Sequence, residues 1–282
     1  MKHLNALHDI IDQYDVIFCD VWGVVHNGVE SFPSAVQALK DARKAGKIVI
    51  FITNAPRPHG PVIQQLHGLG VDESAYDRIV TSGDVTQNLI RESPKKIFHI
   101  GPDKDLILFD GLDVELVEEF EAQAVVVTGL FDDAHETPEN YAEMLKRMRA
   151  RNLPMICANP DIAIHHGTRM LWCAGALARD YAALGGRTLI SGKPYSPIYE
   201  VALREAQAIS KNKIEKSSIL AIGDGILTDV KGAEQFGLDV LYISGGVHVH
   251  EYKQDNQINR QALEDFIQKH GFHPVAEMEA LQ

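Results

Sequence analysis

Along the chain, short apolar runs rich in Val and Ile alternate with longer stretches whose apolar residues recur at helical spacing. Runs that are apolar at every position mark strands buried on both faces, so the alternation predicts βα units around a parallel sheet. The first run, Val16-Ile17-Phe18-Cys19, ends at Asp20. A helix is expected from about Pro33, with Val36 and Leu39 on one face and Gly46 as its stop. Ile48–Ile52 ends at Thr53-Asn54, Ile219–Ile222 at Gly223-Asp224, and Val240–Ile243 at Ser244-Gly245-Gly246. Between them lie further strand candidates, Lys96–Ile100, Ala124–Thr128 and Pro154–Cys157, and a helix over about 138–151 with Tyr141, Met144, Leu145 and Met148 on one face. That is enough for a second α/β domain. The pattern predicts one domain inserted into another: a core of 1–83 and 187–282, an insertion of 84–186, crossings near 82–86 and 184–190, and Leu184-Gly185-Gly186 as a hinge.

Composition narrows the function classes. The 282 residues carry 27 Lys+Arg against 39 Asp+Glu, a formal charge of −12. This argues against nucleic-acid binding, which draws its affinity from cationic contacts to phosphates. At 45% apolar and 23% charged, the chain reads as ordinary globular protein. Three scattered cysteines, Cys19, Cys157 and Cys173, make neither a disulfide framework nor a CxxC metal site and suit a reducing compartment. The first residues lack the apolar stretch of a signal peptide, and no run approaches the length of a membrane span. The expectation is a cytoplasmic protein with no membrane partner.

Three apolar strands end in a carboxylate or a hydroxyl: Asp20, Thr53 and Asp224. Ligands of open parallel sheets bind outside the carboxyl ends of the strands, so these ends would share one crevice. Lys193, in Ser191-Gly192-Lys193-Pro194, follows a glycine that permits close backbone approach and precedes a proline suited to start a helix; alone, such a lysine is more often solvated surface. Asp224 and Asp229 lie five apart across a Gly-containing turn into a helix. Such a pair suits a hard cation such as Mg²⁺, and it also suits helix capping.

Taken together, these residues resemble the haloacid dehalogenase (HAD) superfamily. Asp20 matches the nucleophile of its first motif, Thr53 the second, Lys193 the third, and Gly223-Asp224 with Asp229 the fourth. Phe51-Ile52-Thr53-Asn54, Val80-Thr81-Ser82-Gly83, Ala158-Asn159-Pro160-Asp161, Ser191-Gly192-Lys193-Pro194 and Gly223-Asp224-Gly225 are similar to subclass IIA, the NagD-like and 4-nitrophenylphosphatase-like branch. The resemblance implies a Rossmann-like parallel-sheet core with an inserted α/β cap of type C2, and an enzyme that hydrolyses a small phosphorylated metabolite such as a sugar phosphate, nucleotide, aryl phosphate or acyl phosphate. It implies that Asp20 forms an aspartyl-phosphate and that Mg²⁺ is held by Asp20, Asp224 and the main-chain carbonyl of Trp22, with Asp229 orienting that set. It further implies that Thr53, the Asn54 backbone N–H and Lys193 grip the phosphoryl oxygens. Related caps often mediate dimers, so a homodimer through the cap stays open.

The chain departs from the family at one position. The first motif is usually Asp-x-Asp, its second carboxylate serving as general acid and base, whereas here it reads Asp20-Val21-Trp22. Tryptophan transfers no proton, and that role contributes roughly 10²–10⁴-fold. Three readings follow: a substrate with a good leaving group; a substitute acid, for which His26 is the candidate against its reading as a surface turn residue; or a non-hydrolytic phosphoryl-ligand-binding regulatory protein. In the insertion, His165-His166 with Arg169 is a candidate for the leaving group or a second anion, against a solvated loop. His248 and His250 lack a third zinc ligand and read as a loop near the crevice mouth. A response-regulator receiver is too compact for Thr53 and Lys193 so far apart, and no Gly-x-Gly-x-x-Gly turn supports a nicotinamide dehydrogenase.

Overall fold

The computed structural model describes residues 1–282 apart from Thr168 and Asn256. It divides into two compact units: Met1–Thr53, Ile63–Val80 and Tyr199–Gln282 form the first, and Asn54–Val62 with Thr81–Ile198 the second.

The first unit is built on a seven-stranded sheet in the order Lys2–His3, Ala276–Met278, Asp239–Ile243, Ile219–Gly223, Val16–Cys19, Ile48–Thr53, Arg78–Thr81. Neighbours from Lys2–His3 through to Ile48–Thr53 pair in parallel. Strand Val16–Cys19 is buried at every residue, as its uninterrupted apolar run requires in a sheet covered on both sides. The expected helix spans Pro33–Lys44, with Pro33 in its first turn and Ala35, Val36, Leu39 and Ala42 buried along one face. Gly46, at φ +85°, turns the chain after it into Ile48–Thr53.

The second unit holds a five-stranded parallel sheet in the order Thr188–Ile190, Met155–Cys157, Ala124–Val127, Lys96–Ile100, Glu115–Leu116. Alternation along Ala124–Val127 serves two cores. Val125 and Val127 pack with Leu145, Met148, Leu177 and Tyr181 on one face, while Val126 packs with Ile90, Leu108 and Phe109 on the other. The stretch at 138–151 forms a short 3₁₀ turn, Pro138–Tyr141, leading into the helix Ala142–Ala150. Thr188–Ile190, just past the expected boundary at 186/187, pairs with Met155–Cys157 in this sheet. Gly185, at φ +79°, follows the helix Ala174–Ala183 inside the second unit. Pro194 lies in a cis peptide bond with Lys193, and the next helix begins two residues later, at Ser196, rather than at the proline.

Candidate active site

In the first unit the strand ends carry the polar residues. Val16–Cys19 lies between Ile219–Gly223 and Ile48–Thr53, with Cys19 opposite both Ile222 and Phe51. Asp20, Asp224 and Thr53 therefore emerge at the same end of three adjacent strands. Asp20, Asp224 and Asp229 are all buried, and each offers a carboxylate oxygen within 4.8 Å of the others. At an effective dielectric of about 20, two unit charges at that separation repel by roughly 3 kcal/mol. Buried together, the three carboxylates call for a cation.

The surrounding backbone holds this trio in shape. Val247 N–H donates to Asp224 Oδ2 at 2.7 Å, and Gly225 N–H donates to Asp229 Oδ2 at 3.0 Å. Asp224 thus accepts from the loop after Asp239–Ile243. A Cβ on Gly23 would lie 2.2 Å from Asp224 Oδ2, and one on Gly246 2.1 Å from the same atom, so main chain closes on this carboxylate from two segments. Oxygen-only donors, concentrated negative charge and a fixed backbone cradle fit a hard divalent cation.

Trp22 and His26 sit beside Asp20 in the turn that follows its strand. Their rings meet edge-on, centroids 5.0 Å apart, and Gly23 N–H donates to His26 O. His26 is 3% exposed, so it is a packed residue and not a surface one. Gly28 N–H donates to its Nδ1 at 2.9 Å, which places the proton of the neutral ring on Nε2. A doubly protonated ring would set Nδ1–H against Gly28 N–H.

Asn54 and Lys193 belong to the second unit and are joined there. Asn54 Oδ1 accepts from Lys193 N–H at 2.7 Å, and its Nδ2 donates to Lys193 O at 3.2 Å and to Asp161 Oδ1 at 2.9 Å. Lys193 is 3% exposed, which sets aside its reading as surface. The histidine pair falls on a hairpin, Ala163–His166 with Arg169–Trp172. Arg169 stands opposite His166 and Met170 opposite His165, so Arg169 shares a face with His166 while His165 points to the other face.

A family model for haloacid dehalogenase-like hydrolases matches residues 17–115, and a second, for HAD-hydrolase-like proteins, matches residues 190–267. A crystal structure of a haloacid dehalogenase-like family hydrolase from Brucella suis 1330 is 58% identical, superposes with a TM-score of 0.90, and is covered over 100% of its length by 99% of this chain. The chain belongs to the haloacid dehalogenase superfamily. Within it, the chain falls in the NagD-like and 4-nitrophenylphosphatase-like branch, subclass IIA. It is 24% identical to ribonucleotide monophosphatase NagD of Escherichia coli strain K12, over 82% of this chain and 88% of that one. It is 23% identical to a 4-nitrophenylphosphatase of Schizosaccharomyces pombe, over 84% and 86% respectively.

For a HAD protein, the sequence motifs indicate the carboxylates but miss the groups that hold them. Gly246 and the Val247 N–H carry no chemistry in a motif; the Gly245-Gly246 pair after a buried strand was the available signal for close backbone approach. The motif gives Asn54 a part through its backbone N–H alone, and nothing local in the sequence marks its side chain. His248 and His250 follow Val247 in the loop that reaches Asp224, with His248 packed on Phe266 at 5.3 Å between centroids and its pKa lowered by burial to about 4.

Proposed function

We propose that this protein is a Mg²⁺-dependent phosphohydrolase acting on a small phosphorylated metabolite, with leaving-group acidity deciding which esters it cleaves. The observation that carries the proposal is the buried Asp20–Asp224–Asp229 trio, Asp20 and Asp224 at the carboxyl ends of neighbouring strands and Asp229 in the helical turn that follows, in a HAD protein. The phosphatase names of the NagD and 4-nitrophenylphosphatase relatives support the same reaction class. We further propose that the first unit acts as the hydrolase core, that the insertion expected at 84–186, its sheet extending to Ile190, acts as a cap selecting the leaving group, and that the protein works in the cytoplasm. Among the described residues, no helix is long and apolar enough to cross a membrane, and the three cysteines are buried and unbridged.

In this reading, a carboxylate oxygen of Asp20 attacks phosphorus, an O–P bond forms, and the ester O–P bond breaks with its electron pair leaving on the alcohol oxygen. Water then attacks the aspartyl-phosphate, returning the carboxylate and releasing orthophosphate. Asp20, Asp224 and the Trp22 carbonyl would hold Mg²⁺, with Asp229, fixed by Gly225 N–H, orienting the set. The cation supplies charge neutralisation that lets an anionic nucleophile approach an anionic phosphate. The Thr53 hydroxyl, Asn54 N–H and Lys193 ammonium supply donors to the phosphoryl oxygens. Trp22 supplies no proton to the departing oxygen, so esters of acidic alcohols and acyl phosphates are the favoured substrates.

The test is a Mg²⁺-dependent phosphate-release screen across acetyl phosphate, 4-nitrophenyl phosphate, phenyl phosphate, sugar phosphates and nucleotides, ranked by leaving-group pKa. Rates should fall steeply as that pKa rises. Orthophosphate binding with no turnover of any ester would establish instead a phosphoryl-binding regulatory protein.

A further inference from the structure

We propose that the Asn54 side chain is a positioning residue for Lys193, clamping its peptide unit from both sides and, through Asp161, tying it to the Asn159-Pro160-Asp161 turn. The inference rests on the assignment of Lys193 to the phosphoryl group and extends it, because the part already given to Asn54 is played by its backbone N–H alone.

The bonds admit one orientation of the amide. Oδ1 faces the Lys193 N–H, while Nδ2 faces two acceptors, Lys193 O and Asp161 Oδ1. Rotating the amide would set donor against donor and oxygen against oxygen. Both Nδ2 hydrogens are engaged, and Asn54 is 5% exposed, so little water competes for them. Asp161 is in turn ordered by its own N–H, which donates to Asn159 Oδ1 at 3.0 Å.

The approach depends on Gly192. It sits at φ +92°, and a Cβ there would lie 2.6 Å from Asn54 Oδ1, 2.8 Å from Ser82 Oγ and 2.9 Å from Pro160 Cδ. Only glycine allows the lysine loop to come this close. One residue earlier, Ser191 Oγ is hydrogen-bonded to Cys157 O at 3.1 Å and to the Thr86 hydroxyl, so the loop is pinned ahead of the clamp as well. A lysine has a flexible four-carbon stem, and fixing its peptide plane fixes the direction in which that stem leaves the chain. The clamp thus sets the arc the ammonium can sweep.

The test uses the full-length Mg²⁺-loaded protein, with 4-nitrophenyl phosphate as substrate and orthophosphate as inhibitor. Asn54→Asp keeps the backbone N–H and the side-chain shape, but loses both donors and sets a second carboxylate against Asp161. Positioning predicts that KM and the orthophosphate inhibition constant rise together by about tenfold. A purely structural role would lower kcat through a smaller active fraction and leave both constants unchanged. Asn54→Asp with Asp161→Asn restores one bond with its polarity reversed and should recover at least about threefold in KM. Asp161→Leu, which leaves Asn54 in place, supplies the comparison if Asn54→Asp does not fold; it should raise the same two constants by a smaller factor. Unchanged constants in every folded variant, alongside a Lys193→Ala variant that loses phosphate affinity, would overturn the clamp. If Lys193→Ala itself keeps wild-type constants, the phosphoryl assignment of Lys193 fails instead.

Discussion

Gly246→Ala isolates the part that backbone packing plays at the carboxylate trio. The new Cβ would lie 2.1 Å from Asp224 Oδ2 and 2.3 Å from Asp224 Cβ, where ordinary contact starts near 3.4 Å. Turning the carboxylate cannot clear the second clash, because Asp224 Cβ is fixed to the strand end, so the loop or Asp224 itself must shift by about 1 Å. A displacement of that size in a catalytic constellation costs on the order of 10²-fold in rate. The shift also weakens the 2.7 Å bond from Val247 N–H, worth about 1 kcal/mol, which in a protein of this size lowers the melting temperature by a few degrees. The assay is a Mg²⁺ titration of 4-nitrophenyl phosphate hydrolysis, paired with thermal unfolding in chelator and in Mg²⁺. The expected outcome is a Mg²⁺ requirement shifted at least about tenfold upward, with kcat reduced. Gly68→Ala is the control, since a Cβ there meets nothing within 4 Å. A Gly246→Ala protein with the expected loss of stability but wild-type Mg²⁺ dependence would refute the reasoning, because Asp224 would then have moved without consequence.

The other predictions concern charge and protons. Asp20→Asn should abolish turnover, and in chelator it should unfold at a higher temperature than wild type because one of three mutually repelling buried carboxylates is gone; a lower melting temperature there would contradict the repulsion argument. Trp22→Asp should raise the rate on alkyl phosphates by about 10²-fold or more and hardly change that on 4-nitrophenyl phosphate; equal effects on both would show that the tryptophan shapes the site rather than vacating an acid. His99, its ring nitrogen 2.9 Å from Thr128 Oγ1, has its pKa lowered by burial from 6.5 to about 4. The unfolded chain therefore binds more protons between those values, and stability that is complete above pH 6.5 drains as pH falls toward 4, by about 3 kcal/mol. Denaturant unfolding at pH 7, 5.5 and 4.5 should show a shallower acid loss in His99→Asn, and parallel curves for variant and wild type would remove His99 as the cause.

Periodicity foretold the buried strands closely: Val16–Cys19 forms as its apolar run predicts, Ala124–Val127 ends one residue short of the expected Thr128, and Asp20 and Asp224 follow strand ends. A run apolar at every position has one good solution, burial on both faces, so its ends are sharp in the sequence. Pro194 misled because a proline compatible with a first helical turn is also compatible with the loop that positions Lys193. His26 was not legible as buried, since whether a turn folds outward or packs under an indole depends on contacts distant in sequence. The Asn54 clamp was hidden for the same reason: Asn54 and Lys193 lie 139 positions apart, and no local pattern announces a side-chain amide closing on a peptide that distant.

The hairpin at Ala163–Trp172 presents two chemically different sides, one bearing His166 with Arg169 and the other His165 with Met170. Which side carries the guanidinium depends on how many residues join the two strands, because a slip of one position exchanges the faces of a strand. With the turn length kept, removing a single residue between His166 and Arg169 would set Met170 opposite His166, and adding one would set Arg169 opposite His165, leaving every strand residue as it is. Variation in length, more than substitution, is then the economical route by which relatives of this chain can change what this ribbon offers to its surroundings.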